Sequence, residues 1–267
     1  MHKTIIVVTD LTRMGGNRVC LAGYAENGTC VRPELPFGTI TEPWLYLGSE
    51  AVVRPFARIE LELARNTPHP PHTEDWLIGP RRPVHHGMLA ANDQLALLSS
   101  HTDTAVEQIF GAPVQHDQGW WVAAGTGRRS LGTVRACVWD VIHKPKPDGG
   151  WHYRILFSDE AGRTYELSVT DLAFRYFLDH ERTAGRIRGR GSVEGLARAL
   201  RTSEETYLRV GLARNWARRP GRCYLQVNGV YSFPDYLHGR CFADFVPPPS
   251  AVFGGYQTAM DFEDLPF

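Results

Sequence analysis

Two turn signatures constrain the fold of this chain more than any bulk property. Glu26-Asn27-Gly28 lies between strand-like runs at 19–24 and 29–32, and Asp159-Glu160-Ala161-Gly162 lies between runs at 151–158 and 163–169. Turns of this composition accept positive φ at glycine or asparagine, so both segments read as β-hairpins. Residues 51–63 read as a further strand, with Ile59, Leu61 and Leu63 on one face and Arg58, Glu60 and Glu62 on the other. Runs at 5–8, 120–123, 131–142, 207–212 and 223–227 complete the strand set, and 242–246 closes the fold.

Helices interrupt this pattern in two places. Asn92 is placed to cap a helix running to Leu98, and Asp103-Thr104 opens a second over 105–110, with Gly111 as its stop. Asp171 begins a helix carrying Leu172, Phe174 and Phe177, and Ser192 is placed to cap a short basic helix ending at Arg201. The order strand, hairpin, strand, helices thus occurs twice. It predicts a mainly β fold with inserted helices, built as two small barrels in tandem. The first spans 1–127 and the second 128–246, with the boundary near 125–129. Residues 247–267, opening on Pro247-Pro248-Pro249-Ser250, read as a flexible acidic tail.

Global charge is uninformative, since 29 Lys and Arg balance 29 Asp and Glu. Its distribution is not. Residues 181–222 hold eleven arginines against four acids, a net +7, and residues 235–267 hold one arginine against five acids, a net −4. A basic segment followed by an acidic end predicts an anionic partner for the first and a competitor in the second. Met1-His2-Lys3-Thr4 leads directly into a strand-like run, and no long apolar stretch follows, so neither signal peptide nor membrane helix is expected and the cytoplasm is the expected compartment. Five scattered cysteines fit buried thiols in a reducing compartment better than a disulfide framework.

Val19-Cys20-Leu21-Ala22-Gly23-Tyr24, followed by Cys30-Val31-Arg32-Pro33, resembles the opening of the bacterial dual OB-fold domain proteins. His72-Thr73-Glu74-Asp75-Trp76, and Leu208-Arg209-Val210-Gly211-Leu212 with Cys223-Tyr224, look like the same family, over most of 1–246. The resemblance implies two OB-like barrels and binding of nucleic acid or nucleotides, often in conflict with foreign DNA. It supplies no catalytic residues. The last residues, Asp261-Phe262-Glu263-Asp264-Leu265-Pro266-Phe267, are similar to the C-terminal tip of bacterial single-stranded-DNA-binding proteins (SSB). Such a tip has a physical logic of its own. Pro266 limits the entropy lost on docking, Phe267 offers a ring and a terminal carboxylate, and the three acids suit a basic ridge.

OB barrels hold single strands by laying the backbone in a basic groove and stacking bases on aromatic rings. The residues fitted to this by type and neighbourhood are Arg128 and Arg129 after Trp120-Trp121, Arg154 beside Tyr153, and Arg186, Arg188 and Arg190 in a Gly-rich loop. Arg214, Trp216, Arg218, Arg219 and Arg222, leading into Tyr224, complete the set. Trp151, Tyr153 and Tyr165 share one hairpin and offer further rings, although large rings in small barrels commonly form core. His69 and His72 are conceivable zinc ligands, but no Cys-x-x-Cys accompanies them, and neither metal nor cofactor is expected. Glu74 and Asp75 are adjacent acids without a third metal ligand, and no nucleophile elbow or phosphate loop is present. The sequence therefore reads as a non-enzymatic single-stranded-DNA-binding protein whose tip recruits repair, replication or recombination proteins. The alternatives are an adaptor that mimics the SSB tail without binding DNA, and a nucleotide-sensing or hydrolytic component of a defence system.

Overall fold

The computed structural model describes residues 1–147, 150–215 and 219–246. The first barrel comprises β1 (His2–Arg13), β2 (Val19–Ala25), β3 (Cys30–Glu34), β4 (Ala57–Asn66) and β5 (Asp75–Ile78). β1 pairs antiparallel with both β2 and β4, β3 runs parallel to β5, and β5 returns against β4, which closes the ring in the order β1-β2-β3-β5-β4. That order, with one parallel contact, is a five-stranded Greek-key OB barrel. Ile59, Leu61 and Leu63 point into it, as the alternation requires. The strand begins at Ala57 rather than at residue 51, because Pro55 lacks an amide donor and Phe56 has φ 64°.

β6 (Val84–Met88) adds to the edge of β4, and α1 (Ala91–Ser100) follows. From here the chain already belongs to the second sheet. Thr102–Asp103 pairs with β8 (Leu131–Arg135), and β7 (Trp120–Ala123) pairs with β13 (Arg222–Phe233), both upstream of residues 125–129. The second barrel continues through β9 (Cys137–Pro145), β10 (Trp151–Ser158) and β11 (Thr164–Val169), then β12 (Glu205–Leu212) and β13. β8 and β9 form one long first strand broken only at Ala136. Its first part pairs with β12 and its second with β10, so the barrel closes through the bend. β11 runs parallel to β13, and β12 pairs with β13, repeating the order of the first barrel.

Both first strands carry a bulge at the same place, between Val8 and Asp10 and between Val138 and Asp140. Between β11 and β12 lie α3 (Leu172–Thr183) and α4 (Glu194–Thr202); Leu196, Ala197 and Leu200 of α4 are buried. Asp171 caps α3 as expected, accepting the Phe174 amide at 3.1 Å. The other three expected caps do not cap: Asn92 lies inside the first turn, and Asp103 and Ser192 are engaged elsewhere. Ala90 occupies the cap of α1, and α2 (Val106–Ile109) begins after Ala105, its first amide held by Asp159 Oδ2 at 3.1 Å. Val193 caps α4 while the Ser192 hydroxyl donates to Asp140. Residues 242–244 form a 3-10 turn against α3 rather than a strand. No helix among the described residues is long and apolar enough to cross a membrane.

Candidate nucleic-acid interface

OB barrels present ligands to the outer face of strands 2 and 3. In the first barrel that face is covered by the second. Arg32 on β3, only 4 % exposed, donates from Nε to Asp75 Oδ1 at 2.6 Å and from Nη1 to Ser130 Oγ at 3.2 Å. Glu74 accepts the Ser130 amide and hydroxyl and the Leu131 amide at 2.6, 3.0 and 3.1 Å. From β12, the fully buried Arg209 reaches Asp10 Oδ2 at 2.9 Å, Tyr24 Oη at 2.6 Å and Thr133 Oγ1 at 2.9 Å. Burial disfavours the Arg209 charge, but Asp10 and Tyr24 more than offset this and hold its pKa above the ordinary value. Burial also pushes up the Cys20 and Cys30 thiols on this face, Cys30 to about 12, which removes them from thiolate chemistry.

These contacts engage several of the expected residues. Arg214, expected on a nucleic acid, donates to Asp75 Oδ2 at 2.7 Å and Glu34 Oε1 at 2.5 Å. Glu74 and Asp75 are therefore part of the joint between barrels. His72 is buried beside this network; desolvation, then the Arg32 and Arg214 charges, push its pKa down to about 2. Among the described residues no three His, Cys, Asp or Glu side chains converge as metal ligands.

Among the described residues, the corresponding face of the second barrel is partly exposed. Its rows, read across β9, β10 and β11, are Asp140–Leu156–Glu166 and Ile142–Arg154–Ser168, with Lys144 opposite His152. The bulge turns Trp139 outward to 49 % exposure, and its indole donates to Ser158 Oγ at 2.7 Å, which fixes the ring while leaving it accessible. Trp139 was not among the sequence candidates. Its signal is the repeat of Val8-Thr9-Asp10 as Val138-Trp139-Asp140 at the two bulges.

At the other end of β9, roughly 17 Å away at about 3.3 Å per residue, the chain after α3 returns to the strand. Gly191 lies opposite His143 and Ser192 opposite Ile142, which brings loop 184–190 alongside Lys144. Arg182 covers the Trp151 ring at 3.4 Å and contacts His143 Nδ1; burial and then this guanidinium push His143 below its ordinary pKa, so it stays neutral. Arg188 and Arg190 are exposed, Arg188 bonding only to Gly185 O at 3.2 Å and Arg190 having no side-chain partner among the described residues. Trp139, Arg154 and Lys144 thus share the outer face, and the loop carrying Arg188 and Arg190 returns along its β9 edge.

Most of the expected arginines, Arg154 among them, also have protein partners. Arg154 is half-neutralised by Glu166 at 2.5 Å, and Arg186 is forked by Glu181 at 2.5 and 2.6 Å. Arg129 is held by Asp103 and Ile109 O, whereas Arg128 is exposed on its loop. Arg222 binds Asp117 at 2.6 Å and covers Trp121 at 4.4 Å, and Arg219 bonds Tyr224 Oη at 3.4 Å. Tyr153 and Tyr165 are core rings, each 1 % exposed, and Trp120 packs at a tilt against Tyr165 beneath Arg163. Trp216, Arg218 and the tail, including Asp261, Phe262, Glu263, Asp264, Leu265, Pro266 and Phe267, lie outside the described residues.

A family model described as the dual OB-containing domain (DuOB) matches residues 3–230. The chain belongs to this family. The match spans both barrels up to the middle of β13, and DuOB architecture points to nucleic-acid binding in general. No curated protein matches the sequence.

Proposed function

We propose that this DuOB protein holds single-stranded DNA on the outer face of β9, β10 and β11, and recruits proteins that recognise SSB-type tips through Asp261 to Phe267. The observation that carries the first part is the contrast between barrels: one ligand face is sealed by ion pairs, while the other offers an exposed tryptophan and a basic end. The tip's similarity to SSB supports the second. Proteins of repair, replication and recombination are the partners that chemistry fits, and no catalytic step is required of the chain. Phe245 packs against Phe177 at 5.5 Å and His180 at 5.7 Å, and Arg186 reaches His180 at 3.4 Å. The described chain therefore ends beside the Arg-rich loop, and this proximity favours competition between the tip and DNA for the same cations.

The test is fluorescence anisotropy of labelled oligo-dT over a salt series, with the full chain, with 260–267 removed, and with Trp139→Ala. Expected are steep weakening with salt, tighter binding on truncation at low salt, and roughly 5- to 150-fold loss for the tryptophan variant, equivalent to about 1–3 kcal/mol of stacking. Undiminished binding by Trp139→Ala removes this face from the site. The pairing of Arg154, Arg186, Arg214 and Arg222 with carboxylates favours a second reading, an adaptor using the tip alone; absence of oligo-dT binding by every form selects it.

A further inference from the structure

A cleft of about 280 Å³ lies between the barrels, on residues that take no part in the strand-binding face. Phe56 and Met88 contribute from the first half of the chain and Val230, Tyr231, Tyr236 and Leu237 from the second. The Phe56 and Tyr231 rings meet at 4.8 Å, tilted by 56°, and Phe56 is held at φ 64°, a conformation unfavourable for a bulky residue. Such a position persists only where its surroundings fix it, and here it presents the ring to the cleft.

The polar groups of the cleft divide unequally. Its acids are committed to backbone amides: Asp171 to Phe174 and Val230 at 3.1 and 2.8 Å, Asp235 to Leu237 and Gly239 at 3.0 and 2.7 Å. Burial also pushes the Asp171 carboxyl up to about 7, which reduces the negative charge facing the cavity. Arg54, half-buried in the lining, has no side-chain partner among the described residues. Tyr236, 8 % exposed, buries a hydroxyl that also lacks one. An unpartnered buried donor and a free guanidinium between aromatic walls match a flat ring bearing an acidic group.

We propose that the inter-barrel cleft binds a small planar aromatic anion of nucleoside-monophosphate size, its ring against Phe56 and Tyr231 and its acid on Arg54. The volume is near the lower limit of about 300 Å³ for ligand pockets, which admits one nucleotide and not a strand. Occupancy would join the two barrels. The proposal is independent of the strand-binding face.

Calorimetric titration and thermal unfolding with AMP, GMP, CMP and UMP, each added to the full chain, test it. At about a hundredfold excess over Kd, one of them is expected to raise the melting temperature by roughly 5–10 °C. Arg54→Ala, a change outside the core, is expected to weaken that binding at least about tenfold while leaving the free protein's melting temperature in place. Tyr236→Phe is expected to weaken binding without destabilising the free protein, since it removes an unpartnered hydroxyl. Trp139→Ala is expected to leave nucleotide binding intact. No heat and no thermal shift with any of the four overturns the proposal, as does unchanged affinity in Arg54→Ala. Loss of nucleotide and oligonucleotide binding together in Trp139→Ala also overturns it, by placing the nucleotide on the strand face.

Discussion

Replacing Arg209 by alanine removes the bond that most directly fastens one barrel to the other. The side chain is fully buried, and its loss strands Asp10, itself only 2 % exposed, together with the hydroxyls of Tyr24 and Thr133. Breaking a buried ion pair from one side costs about 3–5 kcal/mol, because the remaining charge keeps its desolvation penalty. For a chain of this size that is a fall of roughly 6–20 °C in melting temperature, at about 2–4 °C per kcal/mol. Urea unfolding followed by tryptophan fluorescence, with calorimetry in parallel, measures it. The double variant Asp10→Leu with Arg209→Met supplies the control, since apolar replacement of a whole buried pair is often neutral or stabilising. It should recover most of the loss. If Arg209→Ala costs under about 1 kcal/mol, or if the double variant is as unstable as the single one, the reasoning that this pair clamps the barrels fails.

His72 gives the joint a dependence on pH. Its folded pKa of about 2 lies below the ordinary value of 6.5, so the unfolded chain takes up a proton that the folded chain refuses. Stability should therefore fall as pH drops below 6.5, by about 1.4 kcal/mol per unit; urea midpoints at pH 7 and 5 should converge in His72→Gln, and parallel profiles would contradict this. Gly23 lies where a Cβ would stand 2.2 Å from the Val7 carbonyl oxygen, so Gly23→Ala should destabilise by about 3 kcal/mol or more in the same assay. Glu181→Gln frees Arg186 from its carboxylate fork and should steepen the slope of log K against log salt for oligo-dT by about 0.7, the increment for one further phosphate contact.

What the sequence disclosed was local. Both hairpins follow from turn residues adjacent to their own strands, and Gly28 does take φ 80°. Asp171 caps its helix because its partner amide lies three residues on. Asn92, Asp103 and Ser192 have the same local chemistry and do not cap, because α1 starts one residue before Asn92, while Asp103 and Ser192 meet long-range partners, Arg129 and Asp140. The same limit governed the candidate site. Arginine density predicts an exposed basic surface only when the acids lie elsewhere, and Arg214 finds Asp75 across 139 residues and Arg209 finds Asp10 across 199. Trp139 was missed for the converse reason: a strand's alternation assigns faces only until a bulge, and the bulge becomes visible when the strand is paired.

The seat of Phe245 on α3 sets a length scale for the tail. Fourteen residues, 247–260, separate the last described position from the acidic tip. Whatever their conformation, a chain of that length spans at most about 50 Å. On the proposed function, a tether of that length holds the tip near the Arg-rich loop at an effective concentration on the order of millimolar. Docking of the tip there, as proposed, would be unimolecular and insensitive to dilution, and a tip peptide supplied from outside would have to reach millimolar levels to compete. On that reading, DNA or a partner that grips the tip would have to win against a neighbour that never diffuses away.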